Sequence, residues 1–235
     1  MKNQKRWPRA ILLDFYGTVV EEDWVPIASV CDQIATASAD NVTSQQVLSQ
    51  WGRLMGDMCL ESHGANFRLQ RDIERISLDA TLRHFDVHLD SETLSRGLFE
   101  YWECPPIFPE SRSVIAQCTV PVCLVSNIDN ADLASAVKHH DLHFELIVTS
   151  EDCRAYKPRP EPFQKALSRL ALAARDVLHV GDSLSADVQG AKALGIPVLW
   201  INRKNKPLPR TEMRPDYESS DLTGIVGALR KNDSA

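Results

Sequence analysis

The sequence contains no CxxC pair, although six of its 235 residues are cysteine: Cys31, Cys59, Cys104, Cys118, Cys123 and Cys153. No cysteine–histidine group has the spacing of a zinc site. A chain of this length buries enough apolar surface to need no disulfide framework, so buried, reduced thiols are expected. No apolar run approaches the length that crosses a bilayer. The chain begins with the basic stretch MKNQKRWPRA, but the apolar run after it is too short for a signal-peptide core and is interrupted by Asp14. A cytoplasmic location is the expectation. Basic excess is lacking too: the formal net charge is -6, and the isoelectric point is about 5.6. That balance argues against nucleic acid and acidic membrane as partners, and leaves small anions open because a pocket can be locally positive. Aromatic residues make up only 7%, which offers no stacking platform. There is no internal repeat.

What is present is an ordinary globular composition, 43% hydrophobic and 25% charged. The length suits one large domain or a core with a smaller cap. Ala10 to Phe15 reads as a short buried strand ending at an acid, broken by Gly17-Thr18. From about Glu22 to Glu103 there is helical periodicity and no convincing strand. Trp24, Ile27, Cys31 and Ile34 recur at helical spacing, as do Val47, Trp51, Leu54 and Met58. A third set is Leu69, Ile73, Ile76 and Leu82. Asp23, Thr43 and Asp90 are candidate N-caps, and Thr43 with Gln46 has capping-box form. The run CPPIFP from Cys104 then ends the helical block.

Strand and helix alternate beyond that break. Strands are expected at Val120–Val125, Phe144–Val148, Val177–Val180 and Ile196–Ile201. Helices are expected at Asp129–His139, Pro160–Leu172, Ser185–Leu194 and Leu222–Leu229. Lys204 to Pro215 reads as an exposed loop. The alternation predicts an α/β fold, a parallel sheet with helices on both faces and an all-helical insert between its first two strands. The core takes residues 1–20 and 105–235, and the insert residues 21–104. The insert is expected to cover the carboxyl ends of the strands, where such sheets bind ligands.

Four segments fall where strands should end: Asp14-Phe15-Tyr16-Gly17-Thr18, Ser126-Asn127, Lys157-Pro158, and Gly181 to Asp187. In one parallel sheet they share an edge, gathering carboxylates, a hydroxyl and an ammonium. Such a set can bind a metal and a phosphoryl group together. Taken singly, each has a plainer explanation. An Asp at a strand end caps a turn, Ser-Asn is turn chemistry, Lys-Pro is loop surface, and Asp187 suits a helix start.

These four segments, in this order, resemble the motifs of the haloacid dehalogenase-like superfamily, which is dominated by phosphatases. The resemblance covers nearly the whole chain. It implies a Rossmann-like core, a helical cap after the first strand, an aspartyl-enzyme intermediate and Mg²⁺ as cofactor. Asp14 matches the nucleophile. Thr18 holds that nucleophile or a phosphate oxygen. Ser126 and the Asn127 backbone N–H bind phosphoryl oxygens, and Lys157 offsets the negative charge. The metal set is Asp14, the Tyr16 backbone carbonyl, Asp182, and Asp187 directly or through water. The substrate implied is a small phosphorylated metabolite, handled by a monomer or homodimer. Gly190-Ala191 is expected to let its helix approach the sheet. His179 reads as a packing residue.

Tyr16 departs from the pattern. Phosphatases of this family place a second aspartate there to protonate the leaving oxygen, and a tyrosine, with an ordinary pKa near 10, is a poor equivalent. The branch that hydrolyses 2-haloacids resembles this chain at DxYGT, because halide leaves without a proton, and it needs no metal. That branch resembles S-S-N-x-x-D at the fourth segment, however, whereas Gly181-Asp182-Ser183 and Asp187 stand intact here. Nor is there a convincing cap arginine for a haloacid carboxylate: Arg53, Arg68, Arg71 and Arg75 are equally solvated helix faces. Trp24, Trp51, Met55 and Trp102 read as core as readily as pocket. The expected function is therefore a Mg²⁺-dependent phosphoric monoester hydrolase. The alternatives are a metal-independent 2-haloacid dehalogenase and a weakly catalytic phosphate-binding or regulatory protein.

Overall fold

A computed structural model describes residues 7–208 and 213–230. The basic residues 1–6 and positions 209–212 of the expected Lys204–Pro215 loop lie outside the described residues. Six strands form one sheet: β1 (Ala10–Leu13), β2 (Val122–Ser126), β3 (Leu146–Thr149), β4 (Val177–Gly181), β5 (Val198–Ile201) and β6 (Tyr217–Ser219). Their order is β3-β2-β1-β4-β5-β6, and every pairing is parallel. That is a Rossmann-like order, in which the chain leaves β1 toward one side of the sheet and later returns on the other, opening a crevice at the carboxyl end of β1.

Strands β1, β2, β4 and β5 are buried along their whole length, as helix-covered parallel strands must be. Side chains alternate between faces. Ile11, Leu13, Leu124, Leu178 and Val180 join one apolar cluster, while Ala10, Leu12, Cys123, Val125 and Val198 join the other. The first cluster continues into the inserted helices through Val30, Ile34, Trp51, Leu78, Leu98 and Trp102. Sheet and insert therefore share one body of buried apolar side chains.

Between β1 and β2 run α1 (Trp24–Ala37), α2 (Ser44–Glu61), α3 (Gln70–His84), α4 (Ser91–Glu103) and the short α5 (Ser111–Ala116). Thr43 and Gln46 form the capping box in full, and Asp90 accepts from the Thr93 backbone N–H. Asp23 does not cap α1; its Oδ2 instead accepts from Trp102 Nε1 at 2.8 Å. The remaining helices are α6 (Asn130–His139), α7 (Ser150–Cys153), α8 (Pro160–Leu170), α9 (Gly190–Ala193) and α10 (Thr223–Arg230).

Several local expectations need correction. The helix expected at Ser185–Leu194 begins as a wide π-type turn over Leu184–Gln189. The backbone N–H groups of Asp187 and Val188 both reach the Ser183 carbonyl, at 3.0 Å each. The extra residue in this turn points Asp187 back toward the sheet edge. Gly190 does meet a close neighbour, but it is α8: a Cβ there would lie 2.8 Å from Phe163 and 3.0 Å from the Pro158 backbone. β6 was not expected, because three largely exposed residues carry no apolar alternation. All six cysteines are free, as expected, but only Cys31 and Cys123 are buried, and Cys104 is exposed. No helix among the described residues is long and apolar enough to cross a membrane.

Candidate active site

Asp14 follows β1, Ser126 ends β2, and Gly181-Asp182 closes β4, so three of the four segments meet at the carboxyl edge of adjacent strands. Lys157 reaches in from the loop before α8. Asp14 is buried, and its backbone N–H donates to the Val180 carbonyl at 2.9 Å. Its carboxylate is gripped on both oxygens. Lys157 Nζ donates to Oδ1 at 2.7 Å, and Thr18 Oγ1 donates to Oδ2 at 3.1 Å. Lys157 Nζ also donates to Asp187 Oδ1 at 2.6 Å.

The turn after β1 is closed by N–H groups of Thr18, Val19 and Val20 on the Phe15 carbonyl, and by the Gly17 N–H on the Val20 carbonyl. None of these bonds uses the Tyr16 carbonyl. Gly17 has φ +83°, and a Cβ on it would fall 2.8 Å from the Asp182 carboxylate. Gly181 is as constrained, since a Cβ there would lie 2.3 Å from Asp187 Cγ. Trp200 Nε1 donates to the Asp182 carbonyl at 2.8 Å and fixes that segment from beneath.

Asp14, Asp182 and Asp187 bring carboxylate oxygens within 4.8 Å of one another. Burial pushes the Asp14 carboxyl above its ordinary range; Lys157 opposes this and Asp187 adds to it. Burial pushes Asp182 up further, with Asp14 and Asp187 adding like charge. Asp187 is also buried, but Lys157 and His179 outweigh burial and hold its carboxyl well below the usual range. Burial opposes the charge on Lys157, yet its two carboxylates hold the ammonium above its ordinary value. Three carboxylates thus face one lysine, and Asp182 has no ion-pair partner among the described residues. A hard divalent cation fits this set by donor type and by charge.

Two residues matter here in ways the sequence did not disclose. His179 is not merely packed: its Nε2 lies 2.9 Å from Asp187 Oδ1, while its ring meets Phe163 edge-on. The Ser183 N–H donates to Asp187 Oδ2 at 3.0 Å, so both oxygens of Asp187 are engaged. Asn127 clamps Lys157 through its side chain: Nδ2 donates to the Lys157 carbonyl at 2.9 Å and Oδ1 accepts the Lys157 N–H at 2.7 Å. A histidine two residues before Gly181 was the available signal for the first; the second had none.

Tyr16 turns away from this chemistry. Its hydroxyl donates to the Trp102 carbonyl at 2.6 Å, and burial pushes it well above an ordinary phenol. Of the candidate arginines, Arg71 is committed to Asp132 and Glu103, Arg75 lies over the Phe99 ring, and Arg53 pairs with Asp57 on the surface. Trp51 and Trp102 are core, whereas Trp24 is exposed.

The haloacid dehalogenase-like hydrolase model matches residues 8–195. An (S)-2-haloacid dehalogenase of Pseudomonas sp. strain YL is 24% identical over 93% of this chain and 93% of its own length. A phosphoserine phosphatase of Thermus thermophilus is 29% identical over 56% of this chain. A haloacid dehalogenase-like hydrolase domain-containing protein of Danio rerio is 34% identical over 57%. The chain spans about half the length of these last two relatives, 55% of each. Among solved structures, an L-2-haloacid dehalogenase superposes with a TM-score of 0.78 at 21% identity, covering 94% of this chain and 98% of that one. The match to the family model spans most of the chain and takes in all four segments of the site, so this protein belongs to the haloacid dehalogenase-like hydrolase family.

Proposed function

We propose that this hydrolase is a Mg²⁺-dependent phosphatase acting on a small phosphorylated metabolite through an aspartyl-phosphate intermediate. The observation that carries this reading is Asp182, a third carboxylate beside Asp14 and Asp187 with no ion-pair partner among the described residues. A haloacid substrate is itself a carboxylate and would be repelled by it. The site suits Mg²⁺ held by Asp14, the Tyr16 carbonyl and Asp182, supplying positive charge against the phosphoryl oxygens. Asp187, with both oxygens engaged, holds Lys157 and would meet a bound metal directly or through water.

Asp14, fixed between Lys157 and Thr18, attacks phosphorus; the P–O bond to the alcohol breaks and an acyl phosphate forms. Lys157, the Ser126 hydroxyl and the Asn127 N–H bind the phosphoryl oxygens as charge builds on them. Water then cleaves the acyl phosphate and frees Asp14. Phosphatase activity in the Thermus relative supports this reading.

Tyr16 favours a second reading, that of a 2-haloacid dehalogenase, and so does the name of the full-length Pseudomonas relative. With its hydroxyl spent on Trp102 and its pKa raised, Tyr16 is a weak proton donor. General-acid help is typically worth ~10²–10⁴ in rate. The phosphatase reading therefore predicts a steep dependence of kcat/KM on leaving-group pKa, with aryl and acyl phosphates far better than alkyl phosphates. Tyr16→Asp should flatten that slope by raising alkyl phosphate turnover. A flat slope in the native chain with fast alkyl turnover would refute this role for position 16.

A further inference from the structure

β5 ends at the buried Ile201, and Asn202 braces the loop that follows. The Asn202 N–H donates to the Ser219 carbonyl at 2.8 Å, its Nδ2 donates to the Lys206 carbonyl at 2.9 Å, and its Oδ1 accepts the Lys206 N–H at 2.8 Å. That bracing presents Arg203 to the turn after β1. Arg203 Nη2 donates to the Thr18 carbonyl at 2.8 Å and pairs with Glu110 Oε1 at 2.7 Å. A terminal guanidinium nitrogen carries two hydrogens, so both bonds form together. The guanidinium carbon lies 3.5 Å from the centre of the Phe108 ring, a stacking that suits a planar cation.

Thr18 is fully buried, and among the described residues its carbonyl accepts no backbone N–H. A buried carbonyl left without a donor is costly, so the orientation of this peptide depends on Arg203. The same residue carries the hydroxyl that holds Asp14 Oδ2 at 3.1 Å. A shift of the Thr18 peptide is thus passed directly to the reacting carboxylate. Lys157 holds the other oxygen, Oδ1, and one contact does not fix the plane of a carboxylate.

Arg203 also ties together the two crossings between core and insert. The Glu21 N–H donates to the Pro106 carbonyl at 2.8 Å, and Ser111 Oγ donates to the Val19 carbonyl at 2.7 Å. Phe108 and Glu110 stand on the returning crossing, between α4 and α5. Lys204, next in the loop, pairs with Glu22 on the outgoing one at 2.9 Å. A loop at the end of β5, two strands from β1 in the sheet, therefore grips the turn that carries the nucleophile. We propose that Arg203 is a positioning residue for Asp14, acting through the Thr18 peptide and anchored on Glu110 and Phe108. The proposal rests on Asp14 as the reacting group, and not on which group leaves.

The test is a double-mutant cycle of Arg203→Met and Thr18→Val. Its readouts are kcat and KM for 4-nitrophenyl phosphate with Mg²⁺ and, in parallel, for halide release from 2-chloropropanoate without metal. Melting temperatures are measured for each variant. Methionine keeps an apolar stem over Phe108 and removes the donors. Arg203→Met is expected to lower kcat by about 10- to 100-fold with KM within about twofold, because a misplaced reacting group costs turnover while Ser126, Asn127 and Lys157 are untouched. In the Thr18→Val background the same replacement should lower kcat by less than about twofold, since the path it acts through is already cut. A crystal structure of Arg203→Met should show Thr18 Oγ1 out of hydrogen-bond reach of Asp14. Should that variant fail to fold, Arg203→Lys, which keeps the charge without the planar fork, carries the same cycle. Losses that multiply in the double variant, or a Thr18–Asp14 contact kept intact in Arg203→Met, would overturn the proposal and leave the phosphatase reading standing wherever phosphate is released. The expected cycle seen on halide release alone would uphold Arg203 and overturn the phosphatase reading instead.

Discussion

Asp14→Asn is expected to lower turnover by at least about 10⁴-fold while the protein stays folded, since removing a covalent nucleophile leaves only binding and electrostatics to act on the substrate. The fold should survive because the amide is nearly isosteric and Lys157 keeps Asp187 at 2.6 Å. Thr18 and Lys157 both hold the Asp14 carboxylate in the native chain, so the loss reflects chemistry and not a collapsed site. The check is single-turnover kinetics alongside acid-quench trapping of a phosphorylated protein. The native chain should trap label and the variant should not. Near-normal turnover in the variant would exclude Asp14 as the nucleophile.

Asp182→Asn is expected to act in two directions at once. In the metal-free protein the folded-state carboxyl is raised, by burial first and by Asp14 second. Between the ordinary carboxyl pKa and this raised value the folded state binds more protons than the unfolded state, so native stability falls as pH rises through that window. At neutral pH the charged form is a strain on the fold, and replacing it should raise the melting temperature. Asp182 is partly exposed, so solvent screening keeps the gain near ~1 kcal/mol, or about 2–4 °C for a chain of this size. Mg²⁺ should stabilise the native chain by mass action and the variant hardly at all. Activity should fall by about 10²-fold or more, because charge stabilisation at the phosphoryl group is lost. Thermal melts with and without Mg²⁺ over a pH series, together with steady-state kinetics, check both directions. A variant that is no more stable without metal and equally responsive to Mg²⁺ would show that Asp182 is not a ligand.

Much of this architecture was legible because it rests on short-range rules. Fully buried strands leave continuous apolar runs, which is why β1, β2, β4 and β5 were found to within two residues at each end. Turn residues at the strand ends marked Asp14, Ser126 and Asp182, which a single parallel edge brings together, whereas Lys157, expected at a strand end too, arrives from the loop between α7 and α8. What escaped was set by geometry between distant segments. Nothing local in Asn127 says that its amide will face the Lys157 backbone, 30 positions later. His179 alternates in register like any core residue, and only the π-type turn at Leu184–Gln189 brings Asp187 back to meet it. Tyr16 could be marked as a departure, but not where its hydroxyl goes, because Trp102 stands 86 positions away on α4.

The central claim, metal-dependent phosphate ester hydrolysis, is tested most directly by measuring both products at once. The native chain is incubated with a panel of phosphate monoesters and 2-haloacids, with Mg²⁺ and after chelation, and inorganic phosphate and halide are quantified. The expected result is phosphate release that chelation abolishes and Mg²⁺ restores, with no halide from any haloacid. Halide release that persists after chelation, without phosphate release under any condition, would contradict it.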